Sequence, residues 1–184
     1  MRTRMLVALA ALGASCWLAG VSWADDQKER RDSGDKEFVT KAARAGLAEV
    51  NLGNPAARHT RNPQVGEFAR QMITDHTQAN RELIALANRK GIALPEKMDE
   101  NHQKLWDKLA KMDGAEFDHA FMEGMVKDHE EAVQLFETES KDGKDEALKG
   151  WAGRTLPVLK KHLDMARDIA KKEKGEKAKE ASKR

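Results

Sequence analysis

Phe68-x-x-x-Met72-Ile73-x-Asp75-His76-x-x-Ala79 recurs 53 positions later as Phe121-x-x-x-Met125-Val126-x-Asp128-His129-x-x-Ala132. Phe, Met and Ala fall at i, i+4 and i+11, the spacing of one face of a helix. In both copies an acid and a histidine interrupt that apolar face at mid-helix. Two helices are therefore built to carry the same ionisable pair toward a shared core. Burying such groups costs several kcal/mol unless each finds a partner or a metal ion. The repeat points to a site without naming a reaction.

Outward from the repeat, punctuation marks further helices. Asp35 reads as the cap of a first helix with Phe38, Ala42, Ala45, Glu49 and Leu52 on one face, ended or kinked at Gly53-Asn54-Pro55. Asn62-Pro63 restarts the chain as N-cap and first helical residue, and Gly91 suits the C′ position after Lys90. Asp99 opens a short helix with Leu105, Leu109 and Met112 on its face. Asp113-Gly114-Ala115-Glu116 resembles a capping box for the third long helix, and Lys141-Asp142-Gly143-Lys144 a turn. A fourth long helix over 145–171 carries Leu148, Trp151, Thr155, Leu159, His162, Ala166 and Ile169, with a local bend at Pro157. Strand patterns are absent. The reading is an all-α four-helix bundle over 35–171, with a long crossover that carries a short extra helix. That crossover can span the bundle, which makes the second and third long helices parallel and sets the two Asp-His pairs at similar heights.

The ends read differently. Arg2 and Arg4, an apolar stretch from Met5 to Ala14, and Ser22-Trp23-Ala24 form an export signal over 1–24, followed by a disordered segment over 25–34. The expected location is the periplasm, with outer-membrane association as a further option. Cys16, the single cysteine, lies inside the signal, so the mature chain has no thiolate for disulfides, zinc or nucleophilic work. Residues 172–184 form a basic, solvated, disordered tail suited to weak contact with anionic envelope surfaces. Taking the +2 of the leader and the +4 of the stretch from Lys171 onward out of the chain's +2 leaves about −4 on residues 25–170, which argues against nucleic acid as a partner.

Each long helix places an ionisable residue on its apolar face: Glu49, Asp75 or His76, Asp128 or His129, and His162. Neighbouring Asp and His differ by about 100° around a helix, so one member of each pair belongs at a helix seam. Two readings stand. The cluster holds a metal ion, with iron, manganese, zinc and copper all compatible with carboxylate and imidazole donors. Alternatively, it is a hydrogen-bonded network that only fixes packing in a structural or interaction module. Met72, Met122, Met125 and Met165 are soft donors on apolar faces, where packing is their ordinary role. Glu116 and His119 share Glu-x-x-His spelling but fall in a first turn. His59 and His102 read as solvent-facing. No Ser or Cys nucleophile and no phosphate loop is present, so binding is favoured over catalysis.

The chain resembles a bacterial exported family catalogued as domain of unknown function 4142, also labelled predicted outer membrane protein. The matching stretches are Phe38-Val39-x-x-Ala42-Ala43 with Ala48-Glu49-Val50-x-Leu52-Gly53, and Phe68-Ala69-x-x-Met72-Ile73-x-Asp75-His76-Thr77-x-Ala79-Asn80. They continue with Gly91-Ile92-x-Leu94-Pro95, Phe117-Asp118-x-x-Phe121, Met125-Val126-x-Asp128-His129, and Leu156-Pro157-x-Leu159-x-x-His162-Leu163. The resemblance covers nearly all of residues 36–170. It implies a ferritin-like bundle in the cell envelope, with a metal suggested by that analogy; the function expected for the cluster, a role in stress tolerance or metal handling, is a separate reading. The family supplies no settled activity. The Asn54-Pro55 interruption departs from its usual continuous first helix.

Overall fold

The computed structural model describes the backbone of residues 23–181 and the side chains of residues 33–175. Most of the expected export signal, residues 1–22, lies outside the described residues. Five helices make up the rest: α1 (Trp23–His59), α2 (Pro63–Lys90), α3 (Glu100–Leu109), α4 (Gly114–Asp142) and α5 (Glu146–Ala181). Among the described residues no helix is long and apolar enough to cross a membrane.

Local chemistry sets most of the boundaries. Asn62 caps α2 by accepting from the Gln64 amide at 2.9 Å, Pro63 supplies the preset first turn, and Gly91 closes the helix at φ 65. Asp99 caps α3 through the amides of Asn101 and His102. Asp145 does the same for α5 through Ala147 and Leu148. Three expectations need correcting. Helix α1 is already formed at Trp23, ahead of Asp35, and it continues through Pro55 to His59. Helix α5 continues to Ala181, so both segments expected to be disordered are helical over most of their length. Asp113 precedes α4 but makes no side-chain cap bond. Pro55 removes one backbone donor. The Asn54 side chain adds a bond to the Val50 carbonyl at 2.8 Å one residue earlier, and the turn survives.

The long helices form a ferritin-like bundle with α2 and α4 parallel. One apolar layer joins Leu52, Phe68, Met72, Phe121, Met125 and Ala166. The other joins Phe38, Leu83, Leu86, Phe136, Trp151 and Leu159. Residue number rises from the first layer to the second along both α2 and α4, and falls along α1 and α5. The connection from Gly91 to Asp113 therefore travels the length of the bundle. On the way α3 lies over the α1–α4 seam, where Asp99 and His102 share a groove with Lys41, Ala45 and Asp128. Each end is pinned by polar pairs: Lys90 with Asp145 at one, Asn62 with Glu173 at the other.

Helix α1 lies close against α2 because Gly46 has no side chain. Asn80 Nδ2 donates to the Gly46 carbonyl at 2.9 Å, and a Cβ on Gly46 would overlap the Asn80 amide. Gly46→Ala should cost about 1–3 kcal/mol in denaturant unfolding. Asn80→Ala added to it should cost clearly less than the sum of the two single changes, because the overlap is already relieved.

Near the end of α4, burial pushes the Glu139 carboxyl up to about 7, with Asp35 and Asp145 adding to the rise and Lys149 opposing it. A folded-state value above the ordinary one means the folded chain holds the proton more tightly. Its contribution is thus full below about 4.5 and lost as pH rises through about 7. Unfolding free energy should fall between pH 5 and pH 8, and Glu139→Gln should flatten that fall.

Candidate functional site

Between the two apolar layers, three helices each present an imidazole to the bundle axis: His76 from α2, His129 from α4 and His162 from α5. His129 and His162 are fully buried, and His76 keeps 7% of its surface. Their ring centroids stand 5.6, 5.4 and 5.5 Å apart. One ring nitrogen from each lies within 4.8 Å of the others. Phe68, two turns before His76, sets its ring edge-on against both His129 and His162 and closes the layer from below.

The second nitrogen of two rings is already committed. His129 Nδ1 lies 2.8 Å from the Met125 carbonyl, which can only accept, so the proton is on Nδ1. His162 Nε2 lies 2.9 Å from Asp75 Oδ2, and the carboxylate likewise fixes the proton on Nε2. Gln71 donates to the same Asp75 oxygen at 2.7 Å and steadies it. The nitrogens left over, Nε2 of His129 and Nδ1 of His162, have no hydrogen-bond partner, and neither does Nε2 of His76. Locking one ring nitrogen to bare the other is how metal-binding histidines are oriented.

Burial also keeps the rings neutral. His76 is held well below the usual imidazole value by desolvation and then by the facing His129 and His162. His129 falls to about 4, mainly by burial, although its bond to Met125 opposes the shift. His162 is lowered by burial against the opposing pull of Asp75. At neutral pH the cluster thus offers three lone pairs and no charge.

Around this triad, the other expected residues separate. Glu49, 2% exposed on α1, approaches His129 Nδ1 to 3.7 Å. Desolvation, followed by repulsion from Asp128, holds its acid well above the carboxylate range. Its Oε2 has no partner. Asp75 serves the triad from the α2–α5 seam. Asp128 does not join the triad: it turns to the α3–α4 seam, where His102 Nε2 stands 3.7 Å from its Oδ1. Burial pushes Asp128 up to about 6, with His102 opposing. His102 is thus no solvent-facing residue. Its Nδ1 is bonded to Asp99 at 2.6 Å. The clue available in the sequence was the Asp99-x-x-His102 spacing at a helix start. His59 is exposed, as expected. Asp118, buried among Thr60 and Asn62 where α1 meets α2, was missed altogether.

Met72 and Met125 lie one turn before His76 and His129, and Met165 three residues after His162. Because α5 runs antiparallel to α2 and α4, all three fall on the same side of the imidazoles, within or against one apolar layer.

Fold and site together define a helical bundle with a polar, three-histidine layer set into an apolar core. The chain belongs to the family described as domain of unknown function (DUF4142), whose pattern matches residues 22–169. No curated protein sequence matches it. The fold is shared with CopM in a Cu(II)-bound form at TM-score 0.65 and 14% identity, covering 75% of this chain and 96% of that one. CopM in an Ag-bound form gives TM-score 0.62 at 16% identity, with coverage of 75% and 96%. A DUF305 fragment from Deinococcus radiodurans gives TM-score 0.67 at 14% identity, with coverage of 76% and 96%.

Asp75→Ala should free the His162 tautomer. In metal-free protein, imidazole nitrogen-15 shifts should report Nε2–H at His162 and Nδ1–H at His129. The substitution should erase the preference at His162 alone and cost about 1–3 kcal/mol, the penalty for a buried donor left unpaired.

Proposed function

We propose that this protein is an exported metal-binding module of the cell envelope that holds one copper ion between His76, His129 and His162. The observation that carries the reading is the convergence of three neutral imidazoles, each with an unpartnered nitrogen. A network whose only task is packing would pair those nitrogens with one another or with Glu49, because an unpaired buried polar atom costs about 1–3 kcal/mol. An all-imidazole donor set suits copper and zinc better than manganese, which prefers oxygen. Copper is favoured over zinc by the thioethers banked on one side of the ring layer and by the likeness in fold to CopM, known in copper- and silver-bound forms. Asp75 acts as the partner that orients His162. Glu49, its acid raised by burial, closes the α1 side, and Asp128 belongs to the α3 seam. The leader over 1–24 supports delivery to the periplasm, and the role is the binding and handling of metal in that compartment. The basic stretch after Lys171 suits contact with anionic surfaces nearby.

Metal analysis of tag-free protein tests the reading. One copper per chain is expected, lost on His76→Ala, His129→Ala or His162→Ala. Copper at a hundredfold excess over its dissociation constant should stabilise the fold by about 2.7 kcal/mol, and each of those variants should abolish the gain. Stoichiometric zinc with no copper would overturn the choice of ion and keep the site. No bound metal of any kind, with unfolding indifferent to metal, would return the cluster to a structural role.

A further inference from the structure

The three-histidine layer is not sealed equally on all sides. Toward α1 it meets Glu49, 2% exposed, and beyond that the α3 helix covers the seam. Toward α2 and α5 it meets a cavity of about 280 Å³ whose walls include His76, His162 and Asp75. The same cavity reaches outward past Gln78 to Glu82, Arg154 and Val158. Val158 is 37% exposed, one of two large apolar residues left open to solvent among the described residues. Asp75 links inside and outside: it bonds His162 Nε2, yet its side chain keeps 29% of its surface.

We propose that this cavity is the port through which a hydrated metal cation reaches the three histidines. The proposal rests on the metal-binding reading above. Size permits it: a water occupies about 30 Å³, so six waters around an ion need roughly 180 Å³, less than the cavity holds. Charge permits it as well, because the Asp75 and Glu82 carboxylates outnumber the Arg154 guanidinium among the charged groups of the cavity wall. The walls include the rings of His76 and His162 and not that of His129, so those two are the histidines an entering ion would reach first, although their unpartnered nitrogens lie behind the wall, out of reach of solvent. The opposite flank carries a larger groove, of about 790 Å³, but among the described residues its walls stop at Ala45, His102, Asp128 and Ala132 and include neither Glu49 nor any of the three histidines.

The test compares loading rates at two flanks. Val158→Trp places a large ring at the mouth from an exposed position, and Gln78→Trp does so from the other helix. Glu131→Trp fills the groove on the α3 side, where Glu131 is exposed. Copper(II) uptake is followed by stopped-flow absorbance, and release by transfer to a chelator. Val158→Trp and Gln78→Trp should slow uptake and release together by tenfold or more, leaving stoichiometry and dissociation constant unchanged. Glu131→Trp should load at the rate of the unaltered protein. Circular dichroism and thermal midpoint identify any variant that fails to fold, and the other mouth variant then decides. Unaltered rates in both mouth variants, or equal slowing by Glu131→Trp, overturn the port and leave the metal site standing. If the unaltered protein takes up neither copper nor zinc, the metal-binding reading falls and the port falls with it.

Discussion

The direction of one connection governs everything else in this molecule. The chain from Gly91 to Asp113 spans the bundle, so α2 and α4 run parallel. Two copies of one phrase then lie at one height and face one axis. An up-and-down bundle with the same sequence would run the two copies in opposite directions. Phe68 and Phe121 share a layer for the same reason, with ring centroids 6.4 Å apart. The crossover also carries α3, so the segment that fixes the topology is the one that covers the α1–α4 seam.

Parallel copies need not do identical work. Asp75 reaches across the α2–α5 seam to His162, whereas Asp128 faces His102 on α3. Each repeat acid has found a histidine on a neighbouring element, and what differs is the neighbour. Where the neighbour is a bundle helix, the acid orients a core ring and serves the central layer. Where it is the crossover helix, the acid helps to hold that helix down, beside the close approach that Gly124 permits to Leu105.

The fold was legible because its signals are local and mutually consistent. Asn62-Pro63, Gly91 and Asp99 mark helix ends by mechanisms that need no tertiary context. Pro55 was over-read: proline disfavours a helix interior, but packing of Leu52 and Ala56 in the core holds the turn closed. Asp113 was over-read in the opposite sense, since capping spelling does not guarantee a cap bond. Of the site, the three histidines, Asp75 and Glu49 were legible from periodicity and depth. Which member of Asp128-His129 turns inward was left open, because a step of about 100° between neighbours does not decide it. His102 was missed because seam contacts depend on where the crossover helix lies, which no single helix face encodes.

Helical bundles ordinarily fill their axis with Leu, Ala and Met, which need no partners. Here two apolar layers, one around Phe68 and Phe121 and one around Phe136 and Trp151, bracket a polar layer that the rest of the core must sustain. The bracketing has an electrostatic effect. Burial lowers the histidines and raises Glu49, so both kinds of group are pushed toward their uncharged forms. A layer of charged groups at this depth would face desolvation costs of several kcal/mol per ion. Neutral imidazoles face far less and keep their lone pairs. Apolar surroundings thus leave uncharged imidazoles with open lone pairs at the centre of the bundle, and the packing that stabilises the helices is what holds them there.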